Sequence, residues 1–178
     1  MKNDIKEVLV SEKELEKICK RLGEQITKDY AGKKLMAIGL LKGSFIFMAD
    51  LLRKVDIQCS IDFMAVSSYG SGTRSSGAVK IVKDLTVNPE GYDLLIIEDI
   101  LDSGRTLSYV CDLLNTRKPN SIKVCTLLDK PSRRVNSLVA DYVGMEVPDE
   151  FVVGYGLDYD EKYRNLPYIG VLKEEVYS

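Results

Sequence analysis

In the stretch IIEDILDSGRT, residues 96–106, three carboxylates fall within five positions: Glu98, Asp99 and Asp102. Small and hydrogen-bonding residues follow at once, namely Ser103, Gly104, Arg105 and Thr106. Carboxylates crowded in this way repel one another, and a cation relieves the repulsion; hydrated Mg²⁺ suits such oxygen ligands. The segment after them has the make-up of a phosphate cradle, with free amides, hydroxyls and a helix about to begin. A solvated acidic loop complementing the dipole of that helix would account for one carboxylate, and poorly for three.

The rest of the composition narrows the chemistry. The chain has no histidine. That excludes Ser-His-Asp and Cys-His nucleophiles, HExxH zinc sites and any imidazole proton transfer. Proton chemistry falls to carboxylate, lysine, tyrosine or cysteine, and a bound metal is expected to be magnesium rather than zinc. Cys19, Cys59, Cys111 and Cys125 form no CxxC pair and read as buried, reduced thiols. A net charge of -2 argues against general nucleic-acid binding, although Lys130, Arg133 and Arg134 make a local basic cluster. No apolar run approaches the roughly 18 residues of a membrane span, and the start MKNDIKEVLVSEKE lacks a signal-peptide core. The expectation is a cytoplasmic protein without membrane contact.

These residues need elements to hold them. At 178 residues the chain suits one domain, 1–178, with no repeat or linker. Ser11 and Glu14 predict a capping box, followed at helical spacing by Leu15, Ile18, Leu22, Ile26 and Tyr30, with Gly32 as terminator. LMAIGLL (35–41) predicts a buried strand and 44–54 the helix after it. In 58–66, Cys59, Ile61, Phe63 and Ala65 alternate with Ser60, Asp62 and Met64, as on a half-exposed strand. A Gly/Ser-rich loop is expected at 67–77, then a strand at 79–85 and a turn at 88–91. The strand DLLIIED leads to the acidic stretch, with a helix at 106–115 beyond it. Further strands are expected at 121–129 and 151–159. Strands alternating with helices in buried-looking runs imply an α/β fold with a mostly parallel sheet. In such sheets ligands sit beyond the carboxyl ends of the strands, which is where 98–106 is expected to lie.

Two phosphate-loop motifs fail. GTRSSG (72–77) has Walker glycine spacing, but Ala78 and Val79 replace the needed Lys and Ser/Thr. GSGTRS (70–75) begins like GxGxxG, ends in Ser75 and opens no helix. By contrast, LLIIEDILDSGRTL resembles the phosphoribosyl-pyrophosphate (PRPP) signature of the type I phosphoribosyltransferases. The stretches LLKGSFIFMADLL (40–52), LLDKPSRR (127–134) and PDEFVVGYGLDYDEKYRNLPYIG (148–170) are similar to the hypoxanthine-guanine phosphoribosyltransferases in order and spacing.

The resemblance implies the type I phosphoribosyltransferase fold, a central mostly parallel sheet flanked by helices, with a small hood and a flexible lid loop. It implies transfer of phosphoribosyl from PRPP to hypoxanthine or guanine, giving IMP or GMP and pyrophosphate, with Mg²⁺ as cofactor. By similarity Asp102 is the general base at the purine N7. Glu98 and Asp99 meet the ribose hydroxyls and Mg²⁺, and Ser103, Gly104, Arg105 and Thr106 hold the 5-phosphate. Lys42, Gly43 and Arg164 would meet pyrophosphate, in a loop whose Leu41–Lys42 peptide can be cis. Lys130 would read the purine O6, Phe151 stack on the base, and the Val152 backbone read its N1 and C2 edge. Asp158 corresponds to a residue near the base edge and a second Mg²⁺, and Ser68 and Tyr69 to the lid. A homodimer or homotetramer is implied. Alternatives within the fold are a xanthine-using enzyme and a PRPP-sensing regulator; the retained Asp102 and slightly acidic charge disfavour the regulator.

Overall fold

A computed structural model describes residues 1–68 and 79–178, with the side chain of Ser68 outside that description. The expected lid residue Tyr69, and Gly70, Ser71 and Gly72 beside it, lie outside the described residues.

The chain starts with β1 (Ile5–Val10) and α1 (Glu12–Asp29). The capping box forms as read: Ser11 N–H donates to Glu14 Oε2 at 2.7 Å, and Glu14 N–H to Ser11 Oγ at 3.3 Å. Leu15, Cys19, Leu22 and Ile26 make its buried stripe. There follow β2 (Leu35–Leu41), α2 (Phe45–Leu52), β3 (Cys59–Ser68), β4 (Val79–Lys83) and β5 (Asp93–Leu101). Next come α3 (Arg105–Asn115), β6 (Ser121–Asp129), β7 (Tyr142–Glu146), β8 (Val152–Val153), β9 (Ile169–Leu172) and α4 (Glu174–Tyr177).

Six strands form one sheet in the order β4-β3-β2-β5-β6-β7, parallel except for the edge strand β4. β5 lies in the middle, so both its faces are covered. Leu95 and Ile97 pack with α1 and α2 residues, and Leu94 and Ile96 with Leu107, Val110 and Leu114 of α3. This is why the strand reads as a continuous apolar run. A second, antiparallel sheet in the order β1-β9-β8 forms the small hood.

Three sequence expectations shift. β1, β7 and β9 were not expected as strands. The alternation of β3 is inverted where it matters: Ile61 is 55% exposed while Asp62 is 4% exposed. Asp62 tolerates that place because its carboxylate accepts from the N–H groups of Phe63 (2.8 Å), Thr86 (2.8 Å) and Val87 (3.2 Å) and from the Thr86 hydroxyl (3.0 Å). The expected 151–159 strand shrinks to Val152–Val153, because Gly154, Tyr155 and Gly156 all take positive φ. Among the described residues no helix is long and apolar enough to cross a membrane.

Candidate active site

β5 runs further than its apolar pattern. It stays paired with β6 through Glu98↔Thr126, Ile100↔Leu128 and Leu101↔Asp129. Glu98 and Asp99 therefore sit within the last turn of the strand, and only Asp102 onward lies beyond it. The ladder hydrogen bonds to β6 outlast the hydrophobic signal and carry the strand two residues past the expected DLLIIED, to Leu101.

That placement has an electrostatic consequence. Burial, then the neighbouring Asp99 charge, pushes the Glu98 carboxyl well above the usual carboxylate range. Burial also raises Asp99, against the opposing pull of the hydrogen bond from Ile100 N–H (2.8 Å) and of Arg164. Two adjacent half-buried carboxylates are a donor set that a divalent cation would relieve.

The chain beyond β5 makes the expected cradle. Asp102 is exposed, and its carboxylate accepts from Ser103 N–H at 2.6 Å. Gly104 then takes φ +78°, and a Cβ there would lie 2.7 Å from Asn136 Oδ1. The positive φ calls for glycine; the Asn136 side chain could swing aside. α3 starts at the next residue, so the first amides of a helix of 11 residues open beside Asp102. Glu98, Asp99, Asp102, Gly104 and Thr106 line a cavity of about 150 Å³ there.

Across from this, Lys42 and Gly43 lie between β2 and α2, and the Leu41–Lys42 peptide is cis. Lys42 Nζ is 2.9 Å from Glu161 Oε2. Arg164 donates from Nη1 to the Gly156 carbonyl at 2.8 Å, and its Nη2 lies 3.1 Å from Asp158 and 3.4 Å from Glu161. Its Nε is buried with no partner among the described residues. An unsatisfied guanidinium N–H suits an anion.

Lys130 follows β6 and is 8% exposed, although a surface lysine is the commoner case for such a sequence. Its N–H donates to the Leu101 carbonyl at 2.9 Å, tying it to the end of β5. Its Nζ donates to the Glu150 carbonyl at 2.8 Å, one residue before Phe151. Val152 is buried and pairs with Val171, whereas the Phe151 ring stays 37% exposed.

The structure thus brings together Glu98, Asp99 and 102–106, with Gly43 against Asp99 and Lys130 against the β5 terminus. It does not gather Glu98, Asp99 and Asp158 as one metal group: no set of three or more candidate ligands occurs among the described residues. The Asp158 carboxylate is turned to Arg164 and to Glu161 N–H at 2.8 Å.

Arg134 is the functional-site residue that sequence reading missed. It donates from Nε to the Asp102 carbonyl (2.9 Å) and from Nη2 to the Leu101 carbonyl (3.4 Å), and pairs with Asp129. In sequence it is one of two adjacent arginines, and nothing separates it from Arg133 except its later burial.

Comparison with known proteins agrees with this geometry. A family model described as a phosphoribosyl transferase domain matches residues 7–160. The chain belongs to this phosphoribosyltransferase family. It is 60% identical over 178 residues to a hypoxanthine-guanine phosphoribosyltransferase of Staphylococcus aureus, covering 100% of this chain and 99% of that one. The crystal structure of a hypoxanthine phosphoribosyltransferase from Staphylococcus aureus superposes with a TM-score of 0.97 at 60% identity, covering 100% of this chain and 97% of the other. A hypoxanthine-guanine phosphoribosyltransferase from Bacillus anthracis, solved with a HEPES molecule in its active site, gives a TM-score of 0.91 at 48% identity, over 95% of this chain and 99% of that one. In family terms, the parallel sheet and the antiparallel hood of this chain are the phosphoribosyltransferase core and hood.

Proposed function

We propose that this protein transfers the 5-phosphoribosyl group of PRPP to hypoxanthine and guanine, forming IMP or GMP and releasing pyrophosphate. The observation that carries the reading is the run Glu98–Thr106: two half-buried carboxylates lie near the end of the central strand, an exposed carboxylate follows, and helix amides open beside it.

The purine N9 attacks C1 of the ribose as the bond from C1 to pyrophosphate breaks, through a centre of oxocarbenium character. Asp102 takes the N7 proton of the purine as the new bond forms. That proton becomes acidic as positive charge builds on the ring, so a carboxylate placed beside it can accept it. The amides and hydroxyls of Ser103, Gly104, Arg105 and Thr106 hold the 5-phosphate at the α3 N-terminus. Glu98 and Asp99 orient the ribose hydroxyls and would hold Mg²⁺, which neutralises charge on the departing pyrophosphate when bound. Mg²⁺ commonly takes one or two protein carboxylates and completes its shell with substrate oxygens and water, so two adjacent carboxylates fit. Lys42, Gly43 and Arg164 bind pyrophosphate, and Asp158, paired with Arg164, borders the base and would help hold a second Mg²⁺.

Lys130 donates to the purine O6 and so prefers a 6-oxo over a 6-amino base. Phe151 stacks on the base, the Val152 backbone reads its edge, and Ser68 and Tyr69 belong to the lid. The reading takes residues 1–178 as one catalytic unit, working in the cytoplasm as a homodimer or homotetramer. Incubation with PRPP, Mg²⁺ and hypoxanthine, followed by mass spectrometry, is expected to give IMP and pyrophosphate in equal amounts. Absence of the nucleotide would overturn the proposal.

A further inference from the structure

Three aromatic rings from three separate segments meet at the purine end of the site. The Phe151 and Tyr177 rings are stacked, with centroids 4.8 Å apart and planes 22° apart. Tyr159 meets Phe151 edge-on at 5.5 Å and 89°, and Tyr177 at 6.5 Å and 68°. The chain is routed to make this contact. β9 pairs with β8, Leu172 N–H donates to the Phe151 carbonyl at 2.8 Å, and Lys173 N–H donates to the Asp4 carbonyl at 2.9 Å. α4 then packs Val176 against the hood cluster of Val153, Tyr163, Leu166 and Leu172, and Tyr177 turns onto Phe151.

We infer that Tyr177 is a positioning residue for the purine, acting through Phe151. This rests on the proposed reading, in which Phe151 stacks on the base. An aromatic side chain that is 37% exposed must give up rotational freedom when a base settles on it. Tyr177 stacks on the ring and Tyr159 packs against it at right angles, so that freedom is lost before the base arrives. Only one ring lies parallel to Phe151 among the described aromatic contacts, and Phe151 keeps 37% of its surface exposed; on this inference the base sits on the face that Tyr177 does not cover. Base, Phe151 and Tyr177 then form one continuous stack. Pre-organisation of this kind strengthens ground-state binding of the base and leaves the chemistry at C1 untouched.

The test compares wild type, Tyr177→Ala and Tyr177→Phe by steady-state kinetics and thermal melting. For Tyr177→Ala the KM for hypoxanthine and guanine is expected to rise roughly 2- to 10-fold, the range for immobilising one side chain on binding. The KM for PRPP and kcat stay at wild-type values, and the melting temperature falls by no more than the few degrees that loss of a partly buried aromatic contact costs. Tyr177→Phe keeps the ring and restores the purine KM. An unchanged purine KM in Tyr177→Ala overturns the inference. So does a lowered one, which would mean that Tyr177 occupies the place of the base. Equal rises in both KM values with a larger fall in melting temperature would also overturn it, in favour of a structural role for α4. Inactive wild type would instead overturn the functional reading itself.

Discussion

A Cβ on Gly43 would lie 1.8 Å from Oδ2 of Asp99 and 2.6 Å from its Cγ. The loop after β2 and the end of β5 therefore cross with no room for a side chain, and the groups assigned to pyrophosphate and to Mg²⁺ are in van der Waals contact. Gly156 closes on the other side: a Cβ there would lie 2.1 Å from the Gly43 carbonyl oxygen. Gly43→Ala must displace the Asp99 carboxylate. We expect kcat/KM for PRPP to fall about 10²-fold, the usual effect of misplacing a reacting group by about an ångström. Unchanged kinetics would separate the two loops functionally.

Asp102→Asn isolates the base. The asparagine Oδ1 can still accept the 2.6 Å hydrogen bond from Ser103 N–H, so the phosphate cradle keeps its shape. The expected result is a loss of about 10²–10⁴-fold in kcat with little change in KM for PRPP. Full activity in the variant would remove Asp102 from the mechanism.

Lys130→Met keeps most of the buried stem and deletes the ammonium. Loss of a charged donor should lower kcat/KM for hypoxanthine by roughly 10- to 100-fold. Selectivity against adenine should narrow as well, since the donor that repels a 6-amino group is gone. Parallel assays with both bases check this; a uniform fall with selectivity intact would point to folding rather than recognition.

Asp62 makes a pH prediction about stability. Burial raises its carboxyl, but the donors from Phe63, Thr86 and Val87 outweigh that and hold it below the ordinary carboxylate range. The folded state thus binds this proton less readily than the unfolded chain, whose value is about 3.9. Its contribution is complete above the unfolded pKa and is lost as pH falls through the lower folded value. Asp62→Asn should cost about 1–3 kcal/mol near pH 7 and progressively less below about pH 4. Denaturant titrations at both pH values decide it, and an equal gap at each would contradict the assignment.

Much of this was legible in the sequence because local signals agreed with the global fold. The Ser11–Glu14 capping box, the apolar run of β5 and the glycine at 104 each have a short-range cause. What was hidden depends on long-range partners. Asp62 looks like a solvent-facing strand residue until Thr86 and Val87 arrive 24 and 25 residues later. Arg134 reads as a surface charge until it folds against the Leu101 and Asp102 carbonyls. β1 and β9 pair across nearly the whole chain, so neither carried a local signal strong enough to be seen alone. The extension of β5 to Leu101 belongs to the same group, since its cause lies in β6.

The measurement closest to the central claim is a PRPP- and Mg²⁺-dependent ultraviolet assay of the wild-type protein, with hypoxanthine, guanine, xanthine and adenine supplied separately. The account predicts turnover of hypoxanthine and guanine, with adenine inert. PRPP binding without turnover of any base would contradict it and make the chain a sensor on this fold, with Asp102 outside any catalytic step.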